Sequence, residues 1–409
     1  MRKPILLLIA NISLVTFLVF GLVPTCMGND RESTLYDFSG GRQGDQPQTS
    51  VIFDKAGNLY GTTYYGGTYG WGTVFELRPS ENGWRHEVLY SFMGSSDGFG
   101  PTGNLLIDVA GSLYGTTLYG GTGTGCQQGS YECGGTVFEL VRSDRGWRHI
   151  VLYSFCPASG CGDGAAPFGL SFDRAGNLYG ATGAGGSGCP TYGCGTVYEL
   201  RHSKGGWTER VIHLFNQNGD GFFPGPGGVA LDNVGNVYGT TYAGGTYNSG
   251  IVFELKHTKS QWKELVLYNF TSGNGGANGG LTLDAGEAIF GTTQYGDGHG
   301  SIFELRHSQG QWNETILYSG DGPNPRLILD KTGALYGTSL FGGASGNGFA
   351  FRMQHKKQWQ MEVLHNFGGG SDGSNPMAGL ILGVDGNLYG TTSSSNNPQY
   401  GGTVFQIIP

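Results

Sequence analysis

Apolar and polar positions follow one short recurring order along most of the chain. Its fullest form begins with the apolar run Val51-Ile52-Phe53, ending at Asp54. A glycine-containing turn leads to Leu59-Tyr60-Gly61-Thr62-Thr63, and a long glycine-rich stretch to Gly72-Thr73-Val74-Phe75-Glu76-Leu77. A polar turn and a tryptophan then open the run from Trp84 to Phe92. Alternation within runs of this length, rich in Val, Phe, Tyr and Thr, predicts half-buried strands. No helical spacing interrupts it in the repeats. The Tyr-Gly-Thr phrase returns around Tyr114, Tyr179, Tyr238, Phe290, Tyr336 and Tyr389, at spacings of 54, 65, 59, 52, 46 and 53 residues.

Seven copies of a four-stranded unit, strands a to d, predict an all-β, seven-bladed β-propeller. The copies start near residues 51, 104, 170, 228, 280, 326 and 380, within a domain spanning 33–409. The last copy ends after strand c at Pro409, while Thr34-Leu35-Tyr36-Asp37-Phe38 matches Val88-Leu89-Tyr90-Ser91-Phe92 of strand d. Strand 34–38 is therefore expected to complete the last blade. Closure of this kind removes the open edges that invite aggregation.

Residues 1–28 differ from the rest. Arg2 and Lys3 precede an apolar run from Ile5 to Val23, the pattern of an export signal. Three readings stand: a cleaved signal peptide, an uncleaved N-terminal membrane anchor, or a lipoprotein acylated on Cys26. The other six cysteines form close pairs, Cys126 with Cys133, Cys156 with Cys161 and Cys189 with Cys194. In an exported chain these read as three disulfides. No CxxC and no neighbouring histidine favours a metal.

Composition narrows the partners. Glycine supplies 79 residues, which suits tight turns, and charged residues only 13%. A net charge of −8 argues against nucleic acid, whose phosphates need a cationic face. Membrane contact is expected only through the N-terminal segment. Neither a cofactor nor a metal site is read from the sequence.

The Leu-Tyr-Gly-Thr-Thr, Gly-Gly and Gly-Thr-Val-Phe-Glu-Leu phrases resemble the GloVer tandem repeats of exported bacterial proteins. The resemblance covers the mature chain. It implies a secreted or surface-displayed repeat protein, with no catalytic residue to carry over. Members often bear a C-terminal anchor. Nothing follows Pro409 here, so any tether is expected at the N-terminus.

In a propeller the b–c and d–a loops share one face, and here they are the long, variable ones. Such loops on a rigid scaffold are where binding evolves. Aromatics crowd them: Tyr64, Tyr65, Tyr69, Trp71, Tyr119, Tyr131, Tyr192, Tyr242, Tyr247, Tyr295 and Tyr400. Flat aromatic faces with few charges suit sugar-like surfaces. Trp71 stands out, because Trp84, Trp147, Trp207, Trp262, Trp312 and Trp359 all hold one repeat position and read as inter-strand packing. Tyr65, Tyr69, Trp71, Tyr119, Tyr131, Tyr192, Tyr247, Tyr295 and His299 are the candidate ligand contacts. His202, His257, His307 and His355 read as solvated turn residues.

Asp45, Asp97, Asp163, Asp220, Asp321 and Asp372 recur in the d–a loops, with Asn274 as the seventh. They read either as turn residues bonding local backbone or as a carboxylate rim for Ca²⁺ or a basic ligand. Asp297 and His299 break the symmetry but lack a third partner for acid–base work. No catalytic motif is present. The expected function is a non-catalytic binding or interaction module at the bacterial envelope, with carbohydrate or an envelope protein as ligand. The alternative is a polysaccharide lyase or hydrolase with carboxylates at the channel mouth.

Overall fold

The computed structural model describes residues 31–409, except 124–133, 158–159, 190–192, 217–218, 260, 272–273, 278, 286–287, 297–299, 323–325, 396–400 and the side chains at 274, 295 and 296. Seven antiparallel sheets make up the described chain, and the one helical element among the described residues is a single 3-10 turn at Gly41–Gln43. Blade one shows the pattern, with strands a Ile52–Phe53, b Leu59–Thr63, c Thr73–Ser80 and d Gly83–Ser91 in that spatial order. Strand b and the first five residues of strand c are buried throughout, which is why they carry the least variable phrases.

The ring is shut by the N-terminal strand, Glu32–Asp37, which pairs antiparallel with strand c of blade seven, Thr403–Ile407. It begins two residues before the expected position, and Phe38 lies just past its end. Thr34 faces Phe405 and Tyr36 faces Val404, with a bulge between them. In blade one the same bulge separates Val88, opposite Phe75, from Tyr90, opposite Val74. The Phe38 N–H donates to the Gly402 carbonyl at 2.8 Å, as Phe92 does to Gly72 at 3.0 Å. The terminal strand thus reproduces strand d in detail.

Hydrophobic residues form seven clusters, each shared by two neighbouring blades. One joins Phe38, Tyr389 and Val404 of blade seven to Val51, Leu59, Phe75 and Leu77 of blade one. The phenylalanine ending strand d packs edge-on to the aromatic of the next blade's strand c. Ring centroids lie 5.1 Å apart for Phe38 and Phe75, and 5.3 Å for Phe92 and Phe138. Phe75 also explains the glycine of Tyr-Gly-Thr. A Cβ on Gly61 would sit 2.6 Å from Phe75 Cζ and 3.2 Å from Val51 Cγ1. The glycine makes room for side chains of its own blade, not for a second backbone.

The repeat tryptophans pack between blades. Trp147 meets Tyr60 of the preceding blade edge-on at 6.1 Å, and Trp207 meets Tyr114 at 6.2 Å. His202 and His257 remain exposed and tilt against Trp207 and Trp262 of their own hairpins. The first threonine of the strand b phrase ties neighbours together at the inner edge. Thr338 Oγ1 donates to the Ala378 carbonyl at 2.9 Å, and Thr391 Oγ1 donates across the closure to the Thr49 carbonyl at 3.0 Å.

Strand a has a feature its short apolar run does not announce. In blades two to five it has two pieces, such as Phe99–Pro101 and Leu106–Ile107, which pair with opposite ends of strand b, Leu113–Tyr119. The intervening residues approach the propeller axis. There the backbones of neighbouring blades touch: a Cβ on Gly228 would lie 2.5 Å from the Gly169 carbonyl oxygen, and one on Gly280 would lie 2.6 Å from that of Gly227.

Candidate functional site

Backbone hydrogen bonds weld the b–c and d–a loops into one surface. Asp45 and Tyr65 exchange N–H···O bonds of 2.9 and 3.0 Å, and Gly100 donates to the Trp71 carbonyl at 3.1 Å. Ala166 to Gly134, Phe223 to Cys194 and Asn375 to Asn347 repeat the last link in other blades. Disulfides Cys156–Cys161 and Cys189–Cys194 staple loops over blades two and three. Cys126 and Cys133 lie outside the described residues.

Over blades one and two the aromatics form a row. The Trp71 ring lies 4.9 Å from Phe99, and Phe99 lies 5.1 Å from Tyr119. Gly94 runs beneath the indole, where a Cβ would come within 2.5 Å of the ring. The Tyr64 hydroxyl is hydrogen-bonded to Tyr119, and burial pushes its pKa well above the usual phenol value. Tyr69 is 55% exposed, Tyr65 44% and Trp71 37%. Tyr247 and Tyr242 stand exposed in blade four, and Phe341 in blade six, a residue the aromatic pattern did not single out. Tyr295 pairs through its backbone with Gly275, and its side chain is not described. Tyr131, Tyr192, Tyr400, Asp297 and His299 lie outside the described residues.

Four of the d–a loop carboxylates, Asp97, Asp163, Asp220 and Asp372, bond their own turns. Asp97 accepts from the Met93 N–H and the Tyr90 hydroxyl, both at 2.8 Å. Asp163 accepts from Cys156 N and Tyr153 Oη, and Asp372 from Gly368 N with His365 Nε2 at 3.1 Å. Asp45 accepts from the Gly401 N–H at 2.6 Å, while burial raises its pKa.

In several blades a Tyr or His late in strand d faces the next blade's strand d. Tyr36 stacks on His86 at 4.4 Å, Tyr90 on His149 at 4.3 Å, and Tyr268 donates to Glu314 at 2.9 Å. Burial lowers both histidines to about 4. In blade three the position is His213, whose Nε2 lies 3.4 Å from Asp220 Oδ2 and 3.7 Å from Glu264 Oε1. Among the described residues this trio alone brings three such donors within 4.8 Å of one another. An imidazole and two carboxylates at these separations could share a divalent ion. Desolvation first, and Asp220 second among the raising causes, pushes Glu264 up to about 7 against the lowering influence of His213.

A second polar feature lies on the axis. Just before the inner apolar residue of strand a, the blades carry Ser50, Asn104, Gly169, Gly228, Gly280, Arg326 and Gly379. The copies align at this position, so Arg326 was visible as its only charged residue. Its charge lies outside the common phrases that define the repeat.

No curated protein matches the chain. Solved structures match its fold. A putative 6-phosphogluconolactonase from Bacteroides uniformis is 13% identical, with a TM-score of 0.52 over 84% of this chain and 89% of the other. A gluconolactonase from Xanthomonas campestris is 14% identical, with a TM-score of 0.44 over 81% and 89%. A putative glucose dehydrogenase from Thermus thermophilus is 14% identical, with a TM-score of 0.47 over 92% and 99%. The Gloeobacter/Verrucomicrobia repeat model matches residues 19–189, 122–326 and 187–405. With its repeats spanning nearly the whole propeller, the chain belongs to the Gloeobacter/Verrucomicrobia (GloVer) repeat family.

Proposed function

We propose that this propeller is an exported, non-catalytic binding module of the bacterial envelope that takes carbohydrate on its b–c and d–a loop face. The Trp71–Phe99–Tyr119 row, bordered by exposed Tyr65 and Tyr69, carries the reading. Aromatic faces take the apolar face of a sugar ring, and tyrosine tips add hydrogen bonds. Loops held by backbone bonds and disulfides lose little entropy on binding. The turn-bonded aspartates favour binding over the lyase or hydrolase alternative, which calls for paired carboxylates beside a cleft. One close pair, Asp220 and Glu264, has Glu264 Oε1 buried in a blade seam.

Export rests on the basic and apolar leader at residues 1–28 and agrees with the disulfides. The test is a glycan array probed with the exported protein and with its Trp71→Ala and Tyr69→Ala variants. Binding to a defined glycan class, weakened at least tenfold by either substitution, is the expected result. An array without binding, or binding indifferent to both substitutions, refutes the reading. Amino-terminal sequencing of the exported chain separates a cleaved signal from an anchor, and mass analysis identifies acylation of Cys26.

A further inference from the structure

We infer that the axial channel holds a small oxyanion, a carboxylate or a phosphate-type group, bound by Arg326. The inference is independent of the loop-face reading. A cavity of about 180 Å³ on the axis is lined by Gln48, Thr102, Asn104 and Arg326, with Gly227 and Gly279 among its glycine walls. Among the described residues, no aspartate or glutamate lines it.

The Arg326 side chain crosses Gly280 of the neighbouring blade, its Cδ 3.3 Å from where a Cβ there would sit. It has neither a hydrogen bond nor an ion pair among the described residues, and burial alone lowers its pKa. A guanidinium remains charged in proteins. Arg326 is partly buried, and a cation drawn even partly out of water is ordinarily paired. The described residues supply no partner here, although the chain's net charge is −8.

Another lining group has donors to spare. Asn104 Oδ1 accepts from the Ser50 N–H at 3.0 Å, which leaves the Asn104 amide NH₂ available. Guanidinium and amide donors at one cavity match the acceptor lone pairs of an oxyanion. A cavity of this volume takes a compact anion. Glycine at this position in four blades lets the strands converge, and the single arginine gives the channel its charge.

The test titrates the full purified chain in Tris buffer with inorganic phosphate, sulfate, glucuronate and, as a neutral non-sugar control, acetamide, read by calorimetry and thermal shift. Saturable binding of at least one oxyanion, none of acetamide, and a loss of tenfold or more in Arg326→Gly are expected. Preference for glucuronate identifies a sugar acid as the source, and preference for phosphate or sulfate an inorganic-type group. Arg326→Met keeps the side-chain stem and covers the case in which the glycine variant fails to fold. Lys357→Ala, on an exposed outer turn, should leave oxyanion binding unchanged. No saturable binding by the wild-type chain, or equal binding by the Arg326 variants, overturns the inference and leaves Arg326 as an axial plug.

Discussion

His213 and Glu264 face one another across the seam between blades three and four, Nε2 to Oε1 at 3.7 Å, where Tyr268 and Glu314 of the next seam make a 2.9 Å hydrogen bond. Replacing a phenol by an imidazole leaves the Glu264 oxygen buried and unbonded. Burial therefore acts directly on its proton.

Glu264 keeps its proton in the folded chain up to about pH 7, whereas the unfolded side chain loses it near 4.5. The folded state holds the extra proton between those values, so this contribution to stability falls as pH rises through the window. Glu264→Gln should flatten that slope and raise the midpoint of urea unfolding at pH 8. Denaturant curves from pH 4.5 to 8 check it. An unchanged slope would place the raised affinity elsewhere.

His149 gives the opposite sign. Its folded pKa is lowered to about 4 against an ordinary 6.5, so the unfolded chain binds the extra proton in that interval. Stability is lost there as pH falls. His149→Phe keeps a ring against Tyr90 and should reduce the loss between pH 6.5 and 4, measured by thermal unfolding.

Closure should be energetically equivalent to any other seam. Phe38 is fully buried against Phe75, as Phe92 is against Phe138. Phe38→Ala and Phe92→Ala should each cost about 3–5 kcal/mol in denaturant unfolding. A Phe38 variant close to wild type would mean that the terminal strand contributes little.

The glycine of the strand b phrase is steric. Gly61→Ala places a methyl 2.6 Å from the Phe75 ring and should cost about 1–3 kcal/mol. Combining it with Phe75→Leu should recover part of the loss, and a double-mutant cycle measures how much. Strict additivity would exclude this pairing as the cause.

The loop staples should act on the unfolded chain. Replacing Cys156 and Cys161, five residues apart, by serine should cost about 2 kcal/mol. Unfolding with and without reductant checks this.

Blade number, strand order and the closing strand were legible because seven aligned copies turn a weak local signal into a register. The same repetition offered a turn role for Asp97 and Asp372 beside a carboxylate rim, and the fold bonds both to their own turns. What the sequence did not disclose depends on packing in three dimensions. The split of strand a follows from convergence at the axis, and the short run Leu106-Ile107 shows nothing of it. Gly61 reads as a backbone requirement until Phe75 is seen beside it. The His213 trio comes from two different copies and so has no motif. Arg326 is plain in the sequence, yet its lack of a counter-ion among the described residues follows only from the fold.

The pairing of Thr34 with Phe405 reverses the order of manufacture. Strand Glu32–Asp37 is made before the seven repeats and its partner Thr403–Ile407 after nearly all of them, so this pairing waits on synthesis of every blade. Until residue 407 emerges, no arrangement of the earlier blades can seal. A chain stalled before residue 403 leaves strand Glu32–Asp37 without its partner, an open edge of the kind that foreign strands pair with.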